Sequence, residues 1–562
     1  MSPQPLPVAE TIRRLSLKQK LAQMFLLNFV GYTDVTTSIR ALNAKGLVGG
    51  IIFFSGSNVQ DIEQLRRLTT RIQDLARESP VKIPYLITLD QEGGQLTALH
   101  RGATVFPGQM ALGRAGEPGL TAAYARHVGS ELRWAGITTD FAPVLDVGVE
   151  SRTSGARVVD NRMISSDPDV VARHGVELVR GIQAEGVMAC AKHFPGMRLS
   201  ERDTHHQADV ADYSLDYLEK EYLPPFRAAV SAGVAAVMTH HGIYTAFDDV
   251  PVSLSKRAIG FLRRNMGFEG LVITDDLIMK AIQDTWPGPI ACEMAINAGA
   301  DLIILTGAGE PILDQLVESV QQGRVREETI DAALARILTA KNRFARRAPA
   351  GRPPDQRAGM RLALDISRRS ITVEKNEAGL LPLRGLSRST RLSVILANPA
   401  RLVMSDTVNF YDISLKAVIE GAGLHPFVKE AVMPWNPTEE ESLSLSDIGF
   451  ISDILIFTTV NAYRFDGQLA VLKRIRALRD HGGPAPLIIA VATRSPDDVP
   501  LLLPLADAVI STAGITPAQM RVLVETIFGT RRLRGERGGA PRRQAGARHP
   551  PRPAAAPRRD HT

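Results

Sequence analysis

The sequence predicts an α/β protein: an N-terminal (β/α)8 TIM-type barrel, a smaller α/β sandwich domain behind it, and a disordered basic tail. Three observations carry this expectation. Eight short apolar runs of strand type alternate with helix-length stretches through the first 306 residues. A charged, Pro-rich break, RRAPAGRPPDQR at 346–357, precedes four further runs of the same type. Residues 531–562 are built from Arg, Pro, Ala and Gly, with Leu533 as the single large aliphatic residue.

The eight runs are MFLLNF (24–29), LVGGIIFF (47–54), PYLITLD (84–90), ITTDFAPVL (137–145), VMACAKHF (187–194), AAVMTH (235–240), GLVITDD (270–276) and ADLIILT (300–306). Strands separated by helical segments pair in parallel through crossover helices, and eight of them fit a closed barrel. An open doubly wound sheet is the alternative arrangement of the same elements. Ser16–Gln23 and Tyr217–Ala232 carry apolar residues at three- and four-residue spacing, with Ser16 and Ser214 placed as N-caps. Behind the break come a helical pattern into Arg369, a strand-like SITVEKN, and the runs RLSVILAN, DILIFTTV, APLIIAVAT and DAVIST. The expected boundaries are 1–345 for the barrel, 346–375 for a linker and connecting helix, 376–530 for the second domain and 531–562 for the tail.

Of 562 residues, 44% are hydrophobic and 22% charged, the composition of a globular protein rather than a fibre. No apolar run approaches the ~20 residues that a membrane-crossing helix needs. Near the N-terminus, MFLLNFV is interrupted by Asn28 and followed by no small-residue cleavage site, so no signal peptide is expected. Cys190 and Cys292 form neither a disulfide framework nor a metal-ligand spacing. A reducing compartment, the cytoplasm, follows as the expectation, with no metal and no cofactor. The net charge of +6 is concentrated in the tail, whose ten Arg face two acids, leaving the rest of the chain nearly neutral. Such a tail reads first as a solvated segment; its functional alternative is contact with a polyanion such as nucleic acid, anionic lipid or acidic wall polymer.

In a barrel, ligand-binding groups stand where strands end. Here five of the eight runs end on charge: Asp90, Asp146, Lys192 with His193, His240 with His241, and Asp275 with Asp276. Each has a structural explanation taken singly, as a helix cap, a turn or a snorkelling lysine. Together they are costly for stability and fit a pocket for a polar, sugar-sized substrate.

The ordered motifs LDQEGG, FPGQMALG, DFAPVLD, Asp-Asn-Arg at 160–162, AKHFPG, Asp-x-His at 203–205 and VITDDLIMKA resemble the β-N-acetylglucosaminidase branch of glycoside hydrolase family 3. The likeness spans about Leu15 to Leu383. It implies an exo-acting retaining β-N-acetylhexosaminidase that removes terminal N-acetylglucosamine from cell-wall fragments, in peptidoglycan turnover, or from chitin fragments. It implies Asp275 as the nucleophile, Asp203 and His205 as an acid/base dyad, and Asp90, Arg162, Lys192 and His193 as sugar contacts. Asp146 and His241 join the substrate-binding candidates as strand-end residues. The chemistry suits these types, because retention needs an ionised carboxylate at the anomeric carbon and a second group that donates and then accepts a proton. A histidine does both near neutral pH, and an aspartate orients its ring.

Two departures stand out. After KHFPG the chain continues Met197–Arg198–Leu199–Ser200 in place of the His-Gly-Asp-Thr usual in that branch, and Ala98 stands where the branch has Arg, with Arg101 and His100 close by as substitutes. Other readings of the same residues are a phosphorylase or a β-glucosidase on this fold and a sugar-binding homologue without catalysis. A metal-dependent barrel hydrolase using His193, His205, His206, His240 and His241 is a further one.

Overall fold

The computed structural model describes residues 6–148, 162–197, 209–346, 351–398, 413–480 and 485–530. Asp203, His205, His206, Arg198–Ser200 and the tail at 531–562 lie outside them. Eight parallel strands close into a barrel: β1 (Phe25–Leu27), β2 (Gly50–Ile52), β3 (Leu86–Leu89), β4 (Thr139–Asp140), β5 (Met188–Phe194), β6 (Ala236–Thr239), β7 (Leu271–Asp276) and β8 (Leu302–Ile304). Each neighbours its predecessor, and β8 pairs with β1, which excludes the open sheet. Every strand falls inside one of the apolar runs, because a strand covered by helices on its outer side is buried on both faces and has no reason to alternate.

The helical fillers behave as their caps dictate. Ser16 accepts from the Gln19 backbone N–H while the Gln19 side chain accepts from the Ser16 N–H, a complete capping box. Ser214 likewise caps its helix through the Tyr217 N–H. The segment expected as one helix from Tyr217 to Ala232 is two, Leu215–Glu221 and Pro224–Ser231. The reason is the Pro224–Pro225 pair, which lacks the N–H groups to continue the first helix yet suits the first turn of the second.

The second sheet holds β9 (Thr372–Asn376), β10 (Leu392–Ala397), β11 (Val428–Met433), β12 (Ile454–Thr459), β13 (Leu487–Ala492) and β14 (Ala508–Ser511). Its order is β9-β14-β13-β12-β10-β11, with β9 antiparallel to β14 and the rest parallel. Successive residues of β12 feed opposite cores, Ile454 and Ile456 on one face and Leu455 and Phe457 on the other. The edge strand β11 has no counterpart among the apolar runs, since Lys429 is exposed and Glu430 and Ala431 are half-buried.

The two units are bolted together by the helix Gln356–Ser370, which lies against Gln109–Ala115 and Pro118–Trp134 of the barrel and Pro517–Phe528 of the second unit. Gly359 permits this approach: a Cβ there would stand 2.1 Å from Thr104 Oγ1 and 2.5 Å from His127 Nε2. Arg368 pairs with Glu525 at 3.1 Å, Arg114 with Glu374 at 3.0 Å, and Arg369 with Glu117. Ala518 and Val522 of the last helix belong to the same apolar core as the barrel. No helix among the described residues is long and apolar enough to cross a membrane.

At the opposite end of the barrel from the strand-end carboxylates, the buried Lys341 Nζ donates to Gln23 Oε1 and to the Gly49 carbonyl, each at 2.7 Å. Burial pushes its pKa down from 10.5 to about 7. Between those values the unfolded chain holds the extra proton, so stability rises with pH there, and the cost of charging is fully present only below the folded value. Chemical denaturation from pH 7 to 9.5 should show a rise of about 1 kcal/mol per pH unit that Lys341→Met removes. Parallel profiles for the two proteins would assign the titration to another group.

Candidate active site

The polar strand ends meet at one mouth of the barrel. After β3 the chain turns through a short hairpin, Gln91–Gly93 against Leu96–Thr97. Gly93, at φ 87°, is required there, because a Cβ would lie 2.8 Å from the Pro107 carbonyl oxygen. This turn directs Glu92 inward, where Arg162 grips it with Nε at 2.7 Å and Nη2 at 2.8 Å. Lys192 Nζ reaches Glu92 at 2.6 Å and Asp90 at 2.5 Å. Since β4 separates β3 from β5, Lys192 spans the mouth to do so.

The result is a line of alternating charge, Asp90, Lys192, Glu92 and Arg162. Burial alone would raise the Glu92 pKa, but Arg162 and Lys192 bring it down to about 2. Burial would likewise lower Lys192 and Arg162, and the neighbouring carboxylates raise both above their ordinary values. All three therefore stay charged at neutral pH. Asp140, behind them, accepts from the Gln91 N–H at 3.0 Å. Burial, reinforced by Asp90 and Glu92, lifts its pKa well above the carboxylate range.

The pairing of β5 with β6 carries an extra residue between Ala191 and Phe194. Such a bulge re-aims side chains, and Lys192 and His193, adjacent in sequence, serve different carboxylates. His193 Nδ1 lies 2.7 Å from Asp146 Oδ2, and Asp146 Oδ1 accepts from the His193 N–H at 3.2 Å and the Met197 N–H at 2.6 Å. Burial opposes the Asp146 charge, yet His193 and these N–H groups hold its pKa below the usual range. Nδ1 of His193 therefore donates to Asp146 Oδ2, which fixes the orientation of the ring.

At the end of β7 two consecutive aspartates divide their roles. Asp276 Oδ1 accepts from the N–H groups of Ile278 and Thr306 at 3.2 and 3.0 Å, and Oδ2 accepts from the Thr306 hydroxyl. Asp276 is therefore a clasp between β7 and β8. Asp275 Oδ1 accepts from the Asp276 N–H at 2.8 Å, and its charge acts on both His240 and Cys190, which places its carboxylate in the barrel mouth. The fully buried His241 bridges from Ser253 Oγ at 2.8 Å to the Asp276 carbonyl at 3.0 Å, so it braces this turn.

The structure brings Asp90, Arg162, Lys192, His193, Asp146 and Asp275 to one mouth. Arg101 is exposed on the loop that follows the hairpin, and no ion pair among the described residues ties it to these carboxylates. Ala98 is buried and donates its N–H to the Asp90 carbonyl at 3.1 Å. The candidate dyad, Asp203 and His205, lies outside the described residues. Sequence reasoning missed Glu92, although an acid directly before Gly-Gly in LDQEGG was a signal, and it missed Asp140. Among the described residues no group of three His, Cys, Asp or Glu side chains is arranged to hold a metal ion.

Residues 16–340 match the family model described as the glycosyl hydrolase family 3 N terminal domain. Beta-hexosaminidase A of Pseudoalteromonas piscicida is 27% identical over 556 residues, covering 89% of this chain and 91% of that protein. A beta-hexosaminidase of Nitrosomonas eutropha is 33% identical over 303 residues, 53% of this chain and 84% of that one. Among solved structures, a glycoside hydrolase family 3 beta-N-acetylglucosaminidase from Paenibacillus sp. str. FPU-7 superposes with a TM-score of 0.82 at 33% identity, over 92% of this chain and 97% of its own.

Proposed function

The chain belongs to glycosyl hydrolase family 3, and from that premise we propose that it is an exo-acting retaining β-N-acetylhexosaminidase releasing terminal β-linked N-acetylglucosamine. The observation that carries this reading is Asp275, half-buried at a charge-compensated barrel mouth, while its neighbour Asp276 is consumed by Thr306 and Ile278. Asp90, Lys192, His193 and Arg162 suit hydroxyl recognition, since all are held in place by buried partners before substrate arrives.

In the first step an Asp275 oxygen bonds to the anomeric carbon as the glycosidic C–O bond breaks, and His205 gives its proton to the departing oxygen. In the second, His205 takes a proton from water as that water displaces Asp275, restoring both groups. Asp203 orients the ring and stabilises the imidazolium. Natural substrates are fragments of cell wall, in peptidoglycan turnover, or of chitin. Two free, buried cysteines support a reducing compartment, and we assign the cytoplasm.

The test is a panel of aryl β-glycosides with and without phosphate. The expected result is turnover of the N-acetylglucosaminide to free N-acetylglucosamine at a rate that phosphate leaves unchanged. A sugar 1-phosphate product would make the enzyme a phosphorylase. Preference for the glucoside would make it a β-glucosidase, and binding without turnover a sugar-binding homologue. Loss of activity on chelation would point to a metal enzyme.

For the Arg-rich segment at 531–562 we propose polyanion contact, on charge alone. Cutting after Thr530 should leave activity on a small aryl substrate within about twofold and abolish salt-sensitive retention on heparin. Equal retention of both forms would dismiss the tail as the contact.

A further inference from the structure

His240 has no part in the steps above, yet its surroundings are those of a ligand-binding group. Met238 on β6 is in register with Ile273 on β7. Thr239 and Thr274 are the next pair in register, and His240 and Asp275 follow directly on them, close enough for the Asp275 charge to act on the His240 ring. Cys190 of β5, in register with Ala236 of β6, also feels the Asp275 charge. The His240 ring lies edge-on to His193, with centroids 6.3 Å apart.

The ring's proton is assigned by its neighbours. The Gly242 N–H donates to Nδ1 at 3.0 Å, so the proton rests on Nε2. Burial, reinforced by His193 and His241, drives the pKa down to about 3, so the imidazole is neutral at any working pH. The residue is 1% exposed, and its Nε2–H is buried with no hydrogen-bond partner among the described residues. An orphaned buried donor is costly, and a fold keeps one where a ligand supplies the acceptor.

The position beside Asp275 limits what that acceptor is. The anomeric carbon that Asp275 attacks is flanked by the ring oxygen and by C2. A donor on the ring oxygen would withdraw the electron density that an oxocarbenium-like transition state needs, whereas hydrogen bonds to the C2 substituent strengthen in that state. Resting on the assignment of Asp275 as nucleophile, we propose that His240 recognises the C2 substituent of the sugar held over Asp275. Its Nε2–H donates to the oxygen of that substituent, the acetamido carbonyl of N-acetylglucosamine.

The experiment compares kcat/KM for nitrophenyl β-glycosides bearing 2-acetamido, 2-hydroxyl or no substituent at C2. His240→Phe keeps the ring volume without the donor, and it should lose roughly tenfold on the 2-acetamido substrate while staying within about twofold on the 2-deoxy one. His240→Gln, which carries an N–H near the Nε2 position, should recover part of that loss. Should His240→Phe fail to fold, Gly242→Ala gives the same readout, because its Cβ would lie 2.7 Å from Nδ1 and displace the ring. Equal losses on all three substrates in a folded variant would overturn the proposal and leave His240 a packing residue. A wild type active on the 2-hydroxyl and 2-deoxy substrates but not on the 2-acetamido one would defeat the N-acetylglucosamine reading alone, and the 2-hydroxyl to 2-deoxy ratio in His240→Phe would then decide for or against His240. Wild-type inactivity on all three would overturn both.

Discussion

Asp275→Ala should abolish turnover of every β-glycoside, lowering kcat/KM by roughly ten-thousandfold or more whatever the leaving group. The size follows from the position. Asp276 cannot substitute, because both its oxygens are bound to Thr306 and one also to the Ile278 N–H. Asp146 and Glu92 are held by His193 and by Arg162 with Lys192. The measurement is kcat/KM on a dinitrophenyl and a nitrophenyl N-acetylglucosaminide, with circular dichroism to confirm folding. Residual activity within about a hundredfold of wild type would show that another group forms the covalent bond.

The second large effect belongs to His205 and depends on the leaving group. An acid matters most when the departing oxygen is a poor leaving group, so His205→Ala should lose about a thousandfold on a natural disaccharide. On a dinitrophenyl glycoside, whose leaving group departs without a proton, the glycosylation step should lose less than about tenfold. Asp203→Ala should show the same pattern at smaller scale, since the ring remains without its orienting carboxylate. Losses of equal size on both substrates would remove His205 from the acid role and direct the search to another Asp or Glu.

How much of this was readable beforehand depended on the kind of interaction. Strands β1 to β8 were legible because burial on both faces leaves an apolar run, and five of the eight runs also end on charged residues, as in VITDD and AKHF. Strand β11 was not, because an edge strand exposing Lys429 has no such run. Partnerships between distant residues were equally invisible. Nothing near Glu92 announces Arg162, 70 positions away, as its partner. The division of labour in Asp275–Asp276 is set by Thr306, just past the end of β8, and the bracing role of His241 by a backbone carbonyl. Local chemistry and periodicity are written in order along the chain, whereas pairing across the barrel is decided by the closed topology.

The helix Gln356–Ser370 fixes more than the placement of the second unit. With Gly359 pressed against Thr104 and His127, and Ala518 and Val522 sharing the barrel's core, the joint has the character of an interior rather than a hinge. A hinge would let the barrel melt while the second sheet survived. Here the free energy of either unit includes contacts that exist only when the other is folded, so calorimetry should show one cooperative unfolding transition. On that expectation the second sheet, though its side chains do no chemistry at the mouth, contributes to the temperature at which Asp275 loses its place.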